Sequence, residues 1–288
     1  MNIQWYPGHM TKTVRMMSEN ISLVDVVVEL IDARIPYSSK NPDIDNLAKN
    51  KKRIIVMNKT DLADPAKTEV WKKWFEAKGF TVILADAVKG TGVNKVADTA
   101  RTLMKDKIER EKARGRLFVP VRAMIVGIPN VGKSTFINSL AGKTAAKTGN
   151  KPGVTRGNQW IKIDKQLELL DTPGILWPKF DDEAIGMKLA CVGSISDEVL
   201  NMQEIAYHLL SYGKANYNQL FEARYGAVPQ PDDERDNEIV LWMENIARQR
   251  GCLKRGAETD FDKVSAQITD DFRSGRIGKV SLEVPKQA

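Results

Sequence analysis

Three short segments carry residue types whose spacing suits one kind of chemistry. Gly127-Ile-Pro-Asn-Val-Gly132-Lys133-Ser134 has two glycines separated by four residues and followed by Lys and Ser. Glycines at those places let the backbone curl, so that successive N–H groups converge on an anion. On this reading the N–H groups of Asn130, Val131, Gly132, Lys133, Ser134 and Thr135 face phosphates, Lys133 neutralises their charge, and the Ser134 hydroxyl ligates Mg2+. Asp171-Thr-Pro-Gly174 supplies a carboxylate to hold the same ion through water and a Gly174 N–H to meet a γ-phosphate. In Asn58-Lys59-Thr60-Asp61, the Asp61 carboxylate can accept from both N1–H and the exocyclic amine of guanine. Adenine offers no such donor pair and would leave the charge unpaired. Alone, the second segment is an ordinary turn and the third an ordinary polar loop. With the first, they describe a site for GTP or GDP.

These segments need a scaffold that holds them together. Val24–Ile31, Ile54–Met57, Thr81–Leu84, Ala123–Val126 and Leu167–Leu170 are short apolar runs without strict alternation. That pattern predicts parallel strands covered on both faces. Val70–Ala77, Val93–Ile108 and Ser134–Leu140 have helical character between them, which gives α/β logic. Each chemical segment directly follows a predicted strand, and the first opens a predicted helix. The charged stretch Arg101–Arg122 reads as the end of a helix running into a linker at Gly115 and Pro120.

After Pro178 the strand-like runs stop. Ile239, Val240, Met243, Ile246 and Ala247 recur at helical spacing, as do Phe261, Val264, Ile268 and Phe272, with Thr259 and Asp262 at capping-box spacing. The expected organisation is residues 1–184 as an α/β nucleotide-binding domain and 185–288 as an all-helical domain. Cys191 and Cys252 stand far apart with no His or Cys beside either, which excludes a zinc ribbon and reads as a pair of partly buried thiols in a reducing compartment. The formal charge of +7 favours polyanionic partners such as RNA. Neither a signal peptide nor a membrane span is evident, so the expectation is a soluble cytoplasmic protein with no membrane partner.

Taken together, the P-loop, D-x-P-G and N-K-x-D resemble the translation-factor-related GTPases. Here Asn58–Asp61 precedes the P-loop, so the chain resembles the circularly permuted GTPases, most closely the ribosome biogenesis GTPase A family. Trp5-Tyr6-Pro7-Gly8-His9-Met10, Asp32-Ala33-Arg34-Ile35-Pro36 and Asp271-Phe272-Arg273-Ser274-Gly275 extend the likeness over nearly the whole chain. The resemblance implies a P-loop GTPase domain of permuted motif order plus a C-terminal helical domain. It also implies slow GTP hydrolysis stimulated by a large ribosomal subunit precursor (rRNA and ribosomal proteins).

The resemblance places further residues. Asp86-Ala87-Val88 matches the second base-contacting loop, with the Ala87 N–H reaching guanine O6 and Asp86 standing where that loop usually has Ser. Thr155, in Pro152-Gly-Val-Thr155, matches the Mg2+-binding threonine of switch I. Ile175 occupies the position of the Gln that orients water in many GTPases, so another group must do so. His9, in a Pro-Gly-His loop, is the candidate, whereas His208 lies in a helical run and reads as structural. Asn130 matches GTPases that bind K+ beside the phosphates. In the helical domain Arg248, Arg250, Lys254 and Arg255 surround two glycines, Gly251 and Gly256, and match an RNA-binding edge. Two other functions fit the residues: a nucleotide-gated RNA-binding module with negligible turnover, and a signalling GTPase acting on a protein partner.

Overall fold

The computed structural model describes residues 8–142, 159–178, 180, 182–231, 233 and 237–285, the side chains of His9 and Gln159 excepted. The expected apolar runs pair into one sheet: β1 (Val26–Asp32), β2 (Lys52–Asn58), β3 (Thr81–Leu84), β4 (Val121–Gly127), β5 (Gln159–Lys162) and β6 (Leu167–Asp171). Their order is β3-β2-β1-β4-β6-β5, parallel except for β5, which runs antiparallel to β6. All of β1 is buried, the charged Glu29 and Asp32 included, as befits a central strand covered on both faces. The edge strand β5 is an addition to the expected set.

The chain starts at the middle of the sheet with β1 and steps outward through β2 to β3. It then returns beside β1 as β4 and continues outward to β6. The direction of winding reverses between β1 and β4, and the carboxyl ends of strands at such a reversal flank the crevice where open α/β sheets bind ligands.

Helix α1 (Gly8–Asn20) replaces the expected Pro-Gly-His loop. Its Met10 and Met17 are buried and Val14 packs beside them, an i, i+4, i+7 face that explains the helix. The short α2 (Pro42–Leu47) is capped by Asn41. Helix α3 (Pro65–Ala77) begins earlier than expected, because the Asp64 side chain accepts from the N–H groups of Ala66 and Lys67 and Pro65 opens the first turn. The stretch expected as one helix is two, α4 (Lys95–Leu103) and α5 (Lys105–Ala113), broken at Met104. Helix α6 (Lys133–Ala141) follows the P-loop.

From Glu183 onward the named elements are helical: α7 (Glu183–Cys191), α8 (Met202–Tyr225), α9 (Glu238–Arg250) and α10 (Phe261–Arg273), with a 3-10 turn at Asp197–Val199. Helix α8 bends at Tyr217 (φ −143°, ψ 36°), which lays the Phe221 ring over Gly213. A Cβ on Gly213 would lie 2.4 Å from that ring. The cap of α10 is Asp260, which accepts from the Lys263 N–H at 3.1 Å, and not Thr259, whose backbone bridges to Leu253. Cys191 and Cys252 are free and buried. Among the described residues no helix is long and apolar enough to cross a membrane.

Sheet and helices share one apolar cluster that runs from Val26 and Leu30 through Leu189 and Leu209 to Ile268 and Leu282. The segment after α10 returns to the sheet. Val280 and Leu282 donate their N–H groups to the carbonyls of Leu62 and Arg34, at 3.1 and 2.8 Å. The Glu283 carboxylate accepts from the N–H groups of Tyr37 and Ser38, the Ser38 hydroxyl and Lys188. At the hub of the helical part, the buried Asp271 carboxylate takes Arg224, Arg276 and the Tyr225 hydroxyl, with Arg250 at 3.4 Å. Burial alone raises its pKa, and the surrounding guanidiniums outweigh that and hold it below the usual carboxylate value. Replacing Asp271 with Ala is expected to cost roughly 3 kcal/mol in urea unfolding, the low end for a broken buried pair because Arg224 and Arg276 keep solvent contact.

Candidate nucleotide site

The carboxyl ends of β1, β2, β4 and β6 bring the separated motifs to one edge. Ile125 pairs with Asp171 across β4 and β6, so the P-loop and D-T-P-G leave the sheet side by side. The P-loop turns through positive φ at Asn130 (58°) and Gly132 (92°), and α6 starts at Lys133, which aims a helix N-terminus at the crevice. Lys133 Nζ lies 2.8 Å from Asp171 Oδ1, both side chains buried. The two loops are in contact. A Cβ on Gly174 would come within 2.9 Å of the Pro129 backbone, and the Ile175 N–H donates to Gly127 O at 3.1 Å. Thr172 Oγ1 donates to Ile125 O at 2.8 Å, anchoring the turn to the strand below.

The Asn58–Asp61 loop is tied to the same edge by Asn58. Its Nδ2 donates to Val131 O at 2.9 Å, and its Oδ1 accepts from the Ala87 N–H at 3.1 Å. The Ala87 N–H, expected to reach guanine O6, thus bonds to Asn58 in this structure. The Asp86 carboxylate turns back and accepts from the N–H groups of Val88 and Lys89, both at 3.0 Å, so it shapes its own turn. Lys59, at φ 62°, reaches over the P-loop and donates to Asn130 O at 2.6 Å. Asp61 comes two residues later, half-buried. A Cβ on Gly132 would meet Asn58 Nδ2 at 2.6 Å, so this contact and the positive φ both demand glycine there.

Sequence reasoning gave no chemical role to Asp32 and Arg34, and the structure builds them into the site. Asp32 ends β1 opposite Asn58. Its carboxylate is bidentate to Arg34 (3.0 and 2.8 Å) and lies 3.0 Å from Lys59 Nζ. Burial alone raises the Asp32 pKa, but Arg34 and then Lys59 overcome it, and the carboxyl stays far below its ordinary range. Burial draws the Lys59 ammonium down, with Asp32 opposing.

The other expected residues occupy varied positions. Ile175 is 1% exposed and packs with Val27, Met124 and Val126 under the sheet. His9 lies in the first turn of α1, and its side chain is outside the described residues. Met10 Sδ accepts from the Leu176 N–H at 3.5 Å, which sets that turn against the segment after Gly174. Thr155 lies outside the described residues. Asn130 Nδ2 donates to Gly193 O at 2.6 Å, beyond the end of α7. Of the basic residues in the last turn of α9 and just beyond it, Lys254 and Arg255 are exposed and Arg248 pairs with Glu244 at 3.3 Å. Arg250 turns inward to Asp271, the Tyr225 ring and Arg224 O, so its guanidinium serves the helical core. His208 sits in α8, stacked on Tyr212, where burial lowers its pKa.

Comparison with known proteins agrees with this geometry. Residues 122–225 match the family described as 50S ribosome-binding GTPase. The chain is 46% identical to ribosome biogenesis GTPase A of Bacillus licheniformis, with 99% of each chain covered. Against the Thermotoga maritima protein of that name it is 33% identical, with 99% and 95% covered. The chain belongs to the ribosome biogenesis GTPase A family. The crystal structure of GNP-bound YlqF from T. maritima superimposes with a TM-score of 0.65 at 29% identity, covering 96% of this chain and all of that one. The fold is therefore a P-loop GTPase fold of permuted motif order, its family activity is GTP hydrolysis, and GTPases of this fold use Mg2+ with the nucleotide. The donors at the crevice, a hydroxyl at Ser134 and a buried carboxylate at Asp171, are the hard oxygens this ion prefers.

Two outcomes are expected. Gly132→Ala should remain folded by circular dichroism yet lose at least about 10-fold in GTP affinity, since strain of ~1–3 kcal/mol falls on the loop itself. For Asp32 the folded pKa lies below the unfolded one. Its contribution to stability is therefore present above pH ~3.9 and lost as the pH falls below that value. The stability gap between wild type and Asp32→Asn, read by urea melts, should stay constant from pH ~6 to ~4 and begin to narrow only as the pH falls below ~3.9.

Proposed function

We propose that this GTPase acts in assembly of the large ribosomal subunit, docking on precursor particles when GTP-loaded and leaving after hydrolysis. The observation that carries this reading is the burial of Ile175. The residue after Gly174 lies in the core, so the water-orienting group must come from elsewhere, and hydrolysis waits for a surface that completes the site. The description of the matching family as ribosome-binding supports the choice of surface. So does a 31% identical mouse relative, Mitochondrial ribosome-associated GTPase 1, matched over 97% of this chain.

In this reading Asp61 accepts from the guanine edge, while Asn58 holds its loop to the P-loop. Lys133 and the N–H groups from Asn130 to Thr135, with that of Gly174, take the phosphates. Ser134, Thr155 and Asp171 would hold Mg2+, which would supply positive charge to offset that of the phosphates. Asn130, whose amide nitrogen bonds to Gly193 O, would help hold a K+ ion beside the phosphates, where the ion would offset developing charge. His9 orients the attacking water from the first turn of α1. The exposed Lys254 and Arg255, with Arg248, meet rRNA phosphates, whereas Arg250 is withdrawn from that role. The protein works in the cytoplasm, with no membrane partner.

Turnover separates this reading from a nucleotide-gated RNA-binding module. Without particles the rate should be on the order of 10⁻³ s⁻¹ or below, and large subunits or their precursors should raise it by about 10-fold or more. His9→Ala should lose roughly 100-fold of the stimulated rate with nucleotide affinity unchanged. A His9→Ala rate equal to wild type on particles would remove His9 from the mechanism, and equal rates in K+ and Na+ buffers would remove K+. Absence of stimulation, with GTP-dependent cosedimentation intact, would favour the gated module.

A further inference from the structure

The P-loop peptide at Asn130 is held twice, from opposite directions, and both holds lead to the helical part of the chain. Its carbonyl accepts from Lys59 Nζ at 2.6 Å. Lys59 lies 3.0 Å from Asp32 Oδ2, and Asp32 is bidentate to Arg34. The remaining Arg34 nitrogen, Nη1, points to the carbonyls of Phe272 and Arg273 at the end of α10, at 3.5 and 3.4 Å. Its guanidinium also lies over the Phe272 ring at 5.1 Å. From Arg273 the contacts turn back. Its Nη2 and Nε donate to the carbonyls of Ala190 and Cys191, at 2.8 and 3.1 Å, capping the end of α7. Gly193, just past that end, accepts from Asn130 Nδ2 at 2.6 Å. The circuit closes on the residue where it began.

We infer that Arg34 is a positioning residue for GTP binding, coupling the P-loop peptide at Asn130 to the junction of α7 and α10. This role rests on the reading of the crevice as the nucleotide site. A fully buried guanidinium is costly unless every face is used. Arg34 uses its fork on a carboxylate, its remaining nitrogen on two carbonyls and its face on a ring. Only a planar, five-donor group spans those partners at once, and an ammonium cannot. Asn130 sits at φ 58°, a left-handed conformation that Asn adopts more readily than most side-chain-bearing residues, and the two arms hold it there. A shift of the α7–α10 junction therefore pulls on the peptide that faces the nucleotide. By linkage, nucleotide that sets this peptide biases the junction by the same free energy.

The experiment is a double-mutant cycle on the full chain, with affinities for GDP and a non-hydrolysable GTP analogue as readout. Arg34→Lys, which keeps the charge but not the fork, should weaken the GTP analogue by about 10-fold. Arg273→Gln, on the opposite arm and partly exposed, should weaken it several-fold, and the double variant should be no weaker than Arg34→Lys alone. Hydrogen exchange should add a signature that general destabilisation lacks. Amides at 190–193 should change on loading wild type with the analogue, and this change should be lost in both variants at matched distance below their melting temperatures. Losses that multiply in the double variant, or a nucleotide-dependent change at 190–193 that persists in Arg34→Lys, would overturn the inference. Should Arg34→Lys not fold, Asp197→Asn, which releases the exposed anchor of Arg273 (2.7 and 2.8 Å), must give a smaller loss in the same direction, and wild-type affinity there overturns it too. Failure of wild type to prefer guanine over adenine nucleotides would instead strike the site itself.

Discussion

One carboxamide holds the site in register. Asn58 gives its two ends to different loops, Val131 O on one side and the Ala87 N–H on the other. Neither bond is strong alone, contributing about 1 kcal/mol net each. Their value is geometric. The loops at Asn58–Asp61 and Asp86–Val88 come after β2 and β3, the P-loop after β4, and nothing in the covalent chain fixes the distance between those parts. Asn58 is buried, so its donor and acceptor must both be satisfied, and the arrangement that satisfies them is the one that brings the three loops together. Gly132 completes the constraint, because any side chain there would displace the amide.

The permuted order redirects the chain beyond the Asp171–Gly174 turn. After Gly174 it runs through the buried Ile175, Leu176 and Trp177 and enters the helices that share the sheet's core. The Ile175 N–H bonds to the P-loop strand end, and Leu176 bonds to Met10 of α1. The segment after the turn thus lies against the N-terminal helix and continues into α7, with few residues between the turn and the helical part.

Much of this was legible in the sequence, for definite reasons. The P-loop, Asp171–Gly174 and Asn58–Asp61 were found because each needs a fixed residue type directly after an apolar run, and doubly covered strands make such runs obvious. The short edge strand at 159–162 offered only four residues, with Trp160 exposed, and gave no such signal. Helix α1 was hidden by its opening Gly-His pair, although Met10, Val14 and Met17 keep helical spacing. The basic stretch that begins in the last turn of α9 could not show that Arg250 faces inward while Lys254 and Arg255 face water, since all carry the same charge. Arg34 was visible only as part of a likeness. A charged residue gives no sequence sign of being fully buried, because its partners lie on elements far along the chain. The segment 280–283 carries no periodicity, and its role comes from where the helices deliver it.

That delivery bears on how the protein is made. Tyr37 and Ser38 wait for a carboxylate 246 and 245 positions further along, at Glu283. Synthesis therefore produces β1, β2 and the phosphate loop well before the residues that pin the loop after β1. Pairings of such long range slow folding, since the chain must close a large loop before any contact rewards it. A nascent chain can collapse around its sheet early, but the nucleotide edge acquires its final support only when the last helix has packed. In a GTPase that serves ribosome biogenesis, that order keeps an unfinished chain from holding a finished site.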